Sequence, residues 1–250
     1  MLRADEYSRY SRHLLLENMD EEGQLALKQA TVALFGVGGL GHQVGATLIS
    51  AGLGKLMLID DDIVELSNLP RQWLFDEGSL GLAKVEAAKQ RLQSLRRECH
   101  IDTFKTYIID SNLSEHLLTA DIIVDCTDNL DGRLAINQFC YQHNVPLITA
   151  AASGMISTIM PIKPGEPHGC YACISGSVSP QTHCVDKGIY SPIVAMAGQF
   201  QAMLALNYLT GIAPVNWGQL HRFDAEKLTL RTFNVGRDPA CNVCRDTHES

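Results

Sequence analysis

The sequence predicts an α/β fold, a nucleotide-binding sheet of mainly parallel strands flanked by helices. Three observations carry this. Short apolar runs alternate with helix-period segments over residues 31–150, a glycine-rich turn follows the first run, and an acid closes the second. Apolar runs of four or five residues bounded by glycine fit strands buried on both faces of a parallel sheet. A chain of 250 residues, 46% hydrophobic, is long enough for one large domain with a sizeable core. Residues 1–150 form its nucleotide-binding half and residues 151–250 a strand-rich half.

In chain order, Asp20 to Gln29 reads as a polar-faced helix, Thr31 to Phe35 as the first buried strand, residues 42–51 as a helix and Lys55 to Ile59 as the second strand. Gly36, Gly52 and Gly54 punctuate them. Leu80, Val85, Ala88, Leu92 and Leu95 recur at helical spacing over residues 79–95. Ile101 to Ile109 and Asp121 to Val124 read as strands, 129–143 as a helix and Pro146 to Ala150 as a further strand. After Ala151 the pattern becomes alternating strand-like segments, a Gly/Ser/Pro-rich loop at 164–192, a long apolar helix at about 193–209 and two closing strands. No internal repeat is present.

Formal net charge is −8, which argues against nucleic acid or an anionic membrane as the main partner. Phosphate chemistry must then use a local cluster of cations. Met1 to His13 is charged and aromatic with no apolar leader segment, and no apolar run approaches the roughly 20 residues of a spanning helix. A cytoplasmic protein is expected. Eight cysteines, with two pairs spaced as CxxC, fit metal or thiol chemistry in a reducing compartment better than a disulfide framework.

Gly36-Val37-Gly38-Gly39-Leu40-Gly41 sits between the first strand and the first long helix. Glycine allows the tight turn and lets backbone N–H groups approach phosphate at a helix N-terminus, where the dipole favours anions. Asp60 lies 24 positions after Gly36, where a carboxylate can take ribose hydroxyls. The pattern alone also describes plain turns; the flanking strands, helix and acid make it a nucleotide fingerprint.

In a dehydrogenase the pyrophosphate is held largely by backbone and dipole, so no cations need follow the acid. Here Arg71 and then Lys84, thirteen residues later at the start of a helix, can neutralise a triphosphate. Either residue alone also fits solvated surface charge. Asp128, in Asp125-Cys126-Thr127-Asp128-Asn129, follows a buried strand at its carboxyl end, where parallel sheets bind ligands. Near phosphates such a carboxylate suits Mg²⁺; it also suits the N-cap of the next helix.

Cys170-Tyr171-Ala172-Cys173 and Cys241-Asn242-Val243-Cys244 are too far apart for a compact finger. A shared metal would tie the tail to the body, and four thiolates leave no open coordination position, so a zinc ion there would be structural. Two redox pairs and four unliganded thiols are the other readings. Cys126 and Cys140 lie in apolar contexts and read as packing residues, and Cys99 follows the charged stretch Arg96-Arg97-Glu98. Cys184, with His183 and Lys187 beside it in a Ser/Pro loop, is set to be a reactive thiol or simply a loop residue.

Together these residues resemble the ThiF/MoeB/HesA family of sulfur-carrier adenylyltransferases, relatives of the adenylation domain of ubiquitin-activating enzymes. The likeness runs nearly end to end: Arg9-Tyr10-Ser11-Arg12, the glycine turn, Asp60 to Asp62, Ser67-Asn68-Leu69 with Arg71-Gln72, Lys84, Asp125 to Asn129 and both CxxC pairs. The sequence departs from the family at Pro70, at Ala83, where proline often precedes the lysine, and at Ala172, where arginine is common. Pro70 removes a backbone N–H beside the phosphate-contacting residues.

The resemblance implies that Gly36, Gly38, Gly39, Gly41, Asp60 and Asp62 hold ATP and that Asn68, Arg71 and Lys84 contact its phosphates. It implies that Asp128 binds Mg²⁺ and that the four CxxC cysteines hold Zn²⁺. Arg12 then reaches ATP on a partner subunit, making the protein a homodimer, and the half after residue 151 binds the carrier. The implied reaction is attack by the C-terminal glycine carboxylate of a small ubiquitin-fold carrier ending in Gly-Gly on the α-phosphate of ATP. Cys184 matches a cysteine that joins the carrier during sulfur transfer in ThiF-like members. With no rhodanese-like extension in the sequence, a separate sulfur donor is expected. Arg9-Tyr10-Ser11-Arg12, Asp60-Asp61-Asp62 and Leu147-Ile148-Thr149-Ala150 favour thiamine-thiazole supply, with molybdopterin-synthase activation second. An NAD-dependent oxidoreductase and a non-catalytic carrier-binding scaffold are the readings from other classes.

Overall fold

The computed structural model describes residues 1–106, 109–175 and 188–245. Eight strands form one sheet: β1 (Thr31–Phe35), β2 (Lys55–Ile59), β3 (His100–Phe104), β4 (Ile122–Asp125), β5 (Leu147–Ser153), β6 (Ile156–Ile162), β7 (Gln219–Asp224) and β8 (Thr229–Asn234). Their spatial order is β3-β2-β1-β4-β5-β6-β7-β8. The first five are mutually parallel, and β5 to β8 continue as an antiparallel meander. The chain leaves β1 toward β2 and β3, then returns to β4 on β1's other side. That reversal opens a crevice at the carboxyl ends of β1 and β4.

Helices cover both faces. α1 (Ala4–Arg9), α2 (Ser11–Leu14) and α3 (Glu21–Gln29) precede the sheet. α4 (Gly39–Ala51), α5 (Lys84–Leu95), α6 (Ser111–Leu117), α7 (Leu130–His143) and α8 (Tyr171–Ser175) follow in order, and the last is α9 (Ser191–Thr210). Alternate strand residues supply two cores. Val32, Leu34, Leu56, Leu58 and Val124 face a core shared by α4, α5 and α9. Ala33, Phe35, Met57, Ile59 and Ile123 face one shared by α6, α7 and the cysteine pairs. Every inward residue of β1 is essentially solvent-free, so Leu34→Ala would cost about 2–5 kcal/mol.

Local chemistry sets the boundaries. Asp20 caps α3 by accepting from Gly23 N at 2.8 Å. α4 stops at Gly52 and α9 at Gly211, both left-handed. Pro192 in the first turn of α9 is tolerated because no intrahelical donor is needed there. The structure shifts several sequence-based boundaries. α4 begins at Gly39, inside the glycine turn, because glycines without side chains can carry helical geometry right up to the loop. The helix expected over 79–95 begins at Lys84, after a short 3-10 turn at Glu77–Ser79. The strand expected to reach Ile109 ends at Phe104, where β2, its only neighbour among the described residues, ends. The loop expected over 164–192 contains α8, placed by the first CxxC pair.

Candidate nucleotide site and four-cysteine centre

At the crevice, β1 runs straight into the glycine turn. Gly36 is left-handed (φ 83°), and a Cβ there would meet the Cys126 carbonyl oxygen at 2.7 Å. A Cβ on Gly41 would lie 2.0 Å from the Gly36 oxygen. Both positions therefore exclude any side chain. Gly38 is the N-cap of α4 and offers no side-chain acceptor. The first-turn N–H groups of a 13-residue helix thus point at the crevice uncapped, the arrangement that binds anions.

The crevice is a cavity of about 360 Å³, within the range of small-molecule sites. Gly36, Gly38, Gly39, Asp60, Asp62, Asn68, Arg71, Lys84 and Asp128 all line it, although they come from five separate stretches of chain. Gly41 packs beneath the turn instead of lining it. A broader depression of about 860 Å³ adjoins, sharing Asp61, Asp62, Asp128, Asn129 and Gly132. Arg12 lines neither; it is exposed on α2.

Asp60 is held by two backbone donors, Val37 N at 2.7 Å and Asp62 N at 2.9 Å. Burial keeps its carboxyl above the ordinary carboxylate range, with Lys84 and the two N–H groups opposing. Lys84 Nζ sits 2.7 Å from Asp62 Oδ2, its side chain only 8% exposed. The ammonium is thus fixed at the wall of the cavity and does not wave in solvent. Arg71 Nη1 donates to the Ser67 carbonyl at 2.9 Å. The buried Asn68 accepts from Glu65 N at 3.2 Å. Pro70 leaves this turn intact, because Arg71 N and Gln72 N both donate to the Asn68 carbonyl.

Asp128 does not cap α7. Asn129 does, its Oδ1 accepting from Gly132 N at 2.7 Å. Asp128 is left exposed at the lip of the cavity, free of any helix-capping role. The neighbouring Asp125 is fully buried, holding Thr127 Oγ1 at 2.6 Å and Thr149 Oγ1 at 2.7 Å. Gln72, matched with Arg71 in the family likeness but given no role there, also lines the cavity, as do Arg133 and Val194, which sequence reasoning missed. Neither of these two carried a legible signal: Arg133 reads as a solvated helix charge, and Val194 as core, because an apolar residue in an apolar helix resembles core.

The four CxxC cysteines converge. Their sulfurs all lie within 4.8 Å of one another, with Cys170–Cys173 at 4.0 Å, Cys170–Cys241 at 3.7 Å and Cys173–Cys244 at 3.2 Å. Four sulfurs about 2.3 Å from one zinc ion in a tetrahedron would be roughly 3.8 Å apart. Asp238 N and Val243 N each point at a sulfur at 3.4 Å, as they would at thiolates. Burial pushes the Cys170 thiol up to about 11 and Cys244 up as well, while at Cys241 burial is outweighed by backbone N–H groups and neighbouring thiols, which bring that thiol down. The donor set fits a structural zinc ion. Cys99, Cys126 and Cys140 are buried, with thiols raised by burial, consistent with packing roles. Cys184, His183 and Lys187 lie outside the described residues.

A switch-point crevice, a bare helix N-terminus, an acid at the end of β2 and two cations define a nucleotide-binding α/β domain with an added four-cysteine centre. The chain belongs to the ThiF family, which matches residues 10–243. It is 35% identical to the sulfur carrier protein ThiS adenylyltransferase of Escherichia coli K12 over 240 residues, covering 96% of this chain and 95% of that protein. It is also 35% identical to the molybdopterin-synthase adenylyltransferase of the same organism over 246 residues, covering 97% and 98%. Among solved structures it resembles E. coli MccB with MccA-N7isoASN, with TM-score 0.84 and 27% identity, covering 94% of this chain and 74% of that one. It likewise resembles MccB with ATP, with TM-score 0.77 and 27% identity, covering 89% and 68%. No helix of the described residues is long and apolar enough to cross a membrane.

Proposed function

We propose that the protein adenylates the C-terminal glycine carboxylate of a small ubiquitin-fold sulfur carrier, using ATP and releasing pyrophosphate. The observation that carries this reading is that Lys84, Arg71, Asp60 and Asp128 line one cavity beside a bare helix N-terminus. A dinucleotide site needs the glycines and Asp60; it does not need two cations facing two acids. Relatives of similar length are named sulfur carrier protein ThiS adenylyltransferase and molybdopterin-synthase adenylyltransferase, and MccB has been solved with ATP.

In this reading Asp60 takes the ribose, the α4 N-terminus and Asn68 take phosphate oxygens, and Lys84 and Arg71 balance charge as it develops. Lys84 would exchange Asp62 for phosphate. Asp128 would hold Mg²⁺, which when bound neutralises phosphate charge and orients the leaving group. The carrier carboxylate oxygen bonds to the α-phosphorus, the α–β bridging bond breaks, and pyrophosphate departs with the electron pair. No general base is required, since the carboxylate is ionised at neutral pH; positioning and charge neutralisation supply the acceleration.

Arg12 would complete the site from a second subunit, so the working form is a homodimer. The half after residue 151 would bind the carrier, Cys184 would join it covalently during sulfur transfer, and a separate cytoplasmic protein would donate the sulfur. Thiamine-thiazole supply is the pathway we assign, on the Arg9-Tyr10-Ser11-Arg12, Asp60-Asp61-Asp62 and Leu147-Ile148-Thr149-Ala150 segments. Molybdopterin-synthase activation is the second reading, favoured by an identity of 35% to an enzyme of that pathway. Incubating the protein with Mg-ATP and each tagged carrier ending in Gly-Gly, then weighing the carrier by mass spectrometry, tests both. An adenylate on the ThiS-type carrier supports the first reading, one on the molybdopterin-type carrier alone the second, and none on either removes the proposal.

A further inference from the structure

One helix reaches both the nucleotide crevice and the four-cysteine centre. Asn129, Arg133 and Asn137 recur every four residues on α7 and so lie along a single face. Arg133 is almost completely buried. Its Nε donates to the Thr127 carbonyl at 3.1 Å, and its Nη2 donates to the same oxygen. Thr127 is the residue before Asp128, and its own N and Oγ1 hold Asp125 at 2.9 and 2.6 Å. The Arg133 guanidinium therefore fastens the loop that carries Asp128.

One turn further along, Asn137 is fully buried. Its Nδ2 donates to Cys170 Sγ at 3.4 Å, and its Oδ1 accepts from Tyr171 N at 3.1 Å. Tyr171 lies between the two cysteines of the first pair, and its side chain lines one small cavity together with Arg133. Asn137 thus ties α7 to Cys170 and Tyr171, and Tyr171 packs beside Arg133, which on the same helix holds the Thr127 carbonyl. α8 spans only Tyr171–Ser175, far too short to hold its shape alone. What fixes it is the cysteine cluster, and what it fixes in turn is Tyr171.

We propose that Asn137, Tyr171 and Arg133 are positioning residues through which metal in the four-cysteine centre sets the Asp125–Asn129 loop, so that metal and magnesium nucleotide bind with positive coupling. This rests on the proposed reading of the crevice as the nucleotide site and of the cysteines as the metal site. Binding couplings are reciprocal: if zinc tightens nucleotide binding, nucleotide tightens zinc binding by the same factor.

The test uses the full chain loaded with one zinc ion. Zinc affinity is measured by competition with a chromophoric chelator, with and without saturating magnesium α,β-methylene-ATP. The wild type is expected to hold zinc about fivefold or more tightly with the nucleotide analogue present. Tyr171→Phe removes one hydroxyl and keeps the buried ring; Arg133→Lys keeps the charge and loses the planar fork. Both are expected to bind zinc alone as the wild type does and to lose the coupling. Asn137→Ser is expected to weaken zinc alone by about tenfold, the usual effect of removing an outer-shell partner. Equal zinc affinity with and without nucleotide in a wild type that binds both overturns the relay, as does full coupling in Tyr171→Phe and Arg133→Lys. A wild type that binds no zinc, or no nucleotide, in direct titration overturns the site reading itself, which separates the two failures.

Discussion

Asp60 Oδ2 accepts a hydrogen bond from Val37 N at 2.7 Å, tying the end of β2 to the middle of the glycine turn. The acid expected to serve the ribose is therefore also a structural clamp on the glycine turn. Asp60→Ala leaves Val37 N and Asp62 N without their acceptor, a loss of about 1–3 kcal/mol for a buried unsatisfied group. A lower thermal midpoint and at least a tenfold loss of Mg-ATP affinity by calorimetry are expected together. Unchanged nucleotide affinity would show that Asp60 only shapes the turn.

Arg12 lies outside the crevice of its own subunit, and the proposed dimer makes a direct expectation of that. Arg12→Ala and Asp128→Asn proteins are each expected to be nearly inactive. Mixed under conditions that exchange subunits, they are expected to recover part of the activity, because some sites then contain both intact residues. Mixed dimers seen by native mass spectrometry without recovered activity would rule out a role in trans.

Much of this site could be read from the sequence because its elements are local. The glycine turn needs residues without Cβ at fixed offsets, Asp60 ends an apolar run, and the paired cysteines advertise themselves by spacing. What was not legible depends on contacts between distant segments. Asn129, not Asp128, caps α7, a choice between adjacent residues that only backbone direction decides. α8 stays ordered through cysteines about seventy residues away, so its own five residues carry little helical signal. Arg133 and Asn137 look like surface polar residues until the first cysteine pair is seen to pack over them.

His42 gives the protein an acid-sensitive stability. It is buried in the first turn of α4, accepts from Leu74 N at 3.1 Å and meets Phe75 edge-on. Burial lowers its pKa from 6.5 to about 3. The unfolded chain therefore binds a proton between these values that the folded one does not, and stability is full above pH 6.5 and falls as pH drops toward 3. Each pH unit well inside that window costs up to about 1.4 kcal/mol. Urea unfolding at pH 7.5, 6.0 and 5.0 is expected to show this loss, with a flatter dependence in His42→Gln. Equal slopes for the two proteins would remove His42 as the cause.

Zinc is expected at one ion per chain when the protein is purified without chelator. Cys244→Ala is expected to lose the metal and lower the thermal midpoint, because the second cysteine pair anchors the segment after β8. Elemental analysis of the wild type finding no zinc would favour unliganded thiols or redox pairs.

Carrier-dependent adenylation with Asp128 as the magnesium ligand is read most directly by ATP–pyrophosphate exchange. Purified wild-type protein with Mg-ATP and a carrier ending in Gly-Gly is expected to exchange labelled pyrophosphate into ATP. Exchange is expected to vanish when the carrier is omitted or its terminal glycine carboxylate is amidated, and to fall by about a hundredfold or more in a folded Asp128→Asn variant. Wild-type exchange rates in Asp128→Asn would contradict the role of that residue. A protein that bound NAD, ignored Mg-ATP and exchanged no pyrophosphate with either carrier would contradict the account as a whole.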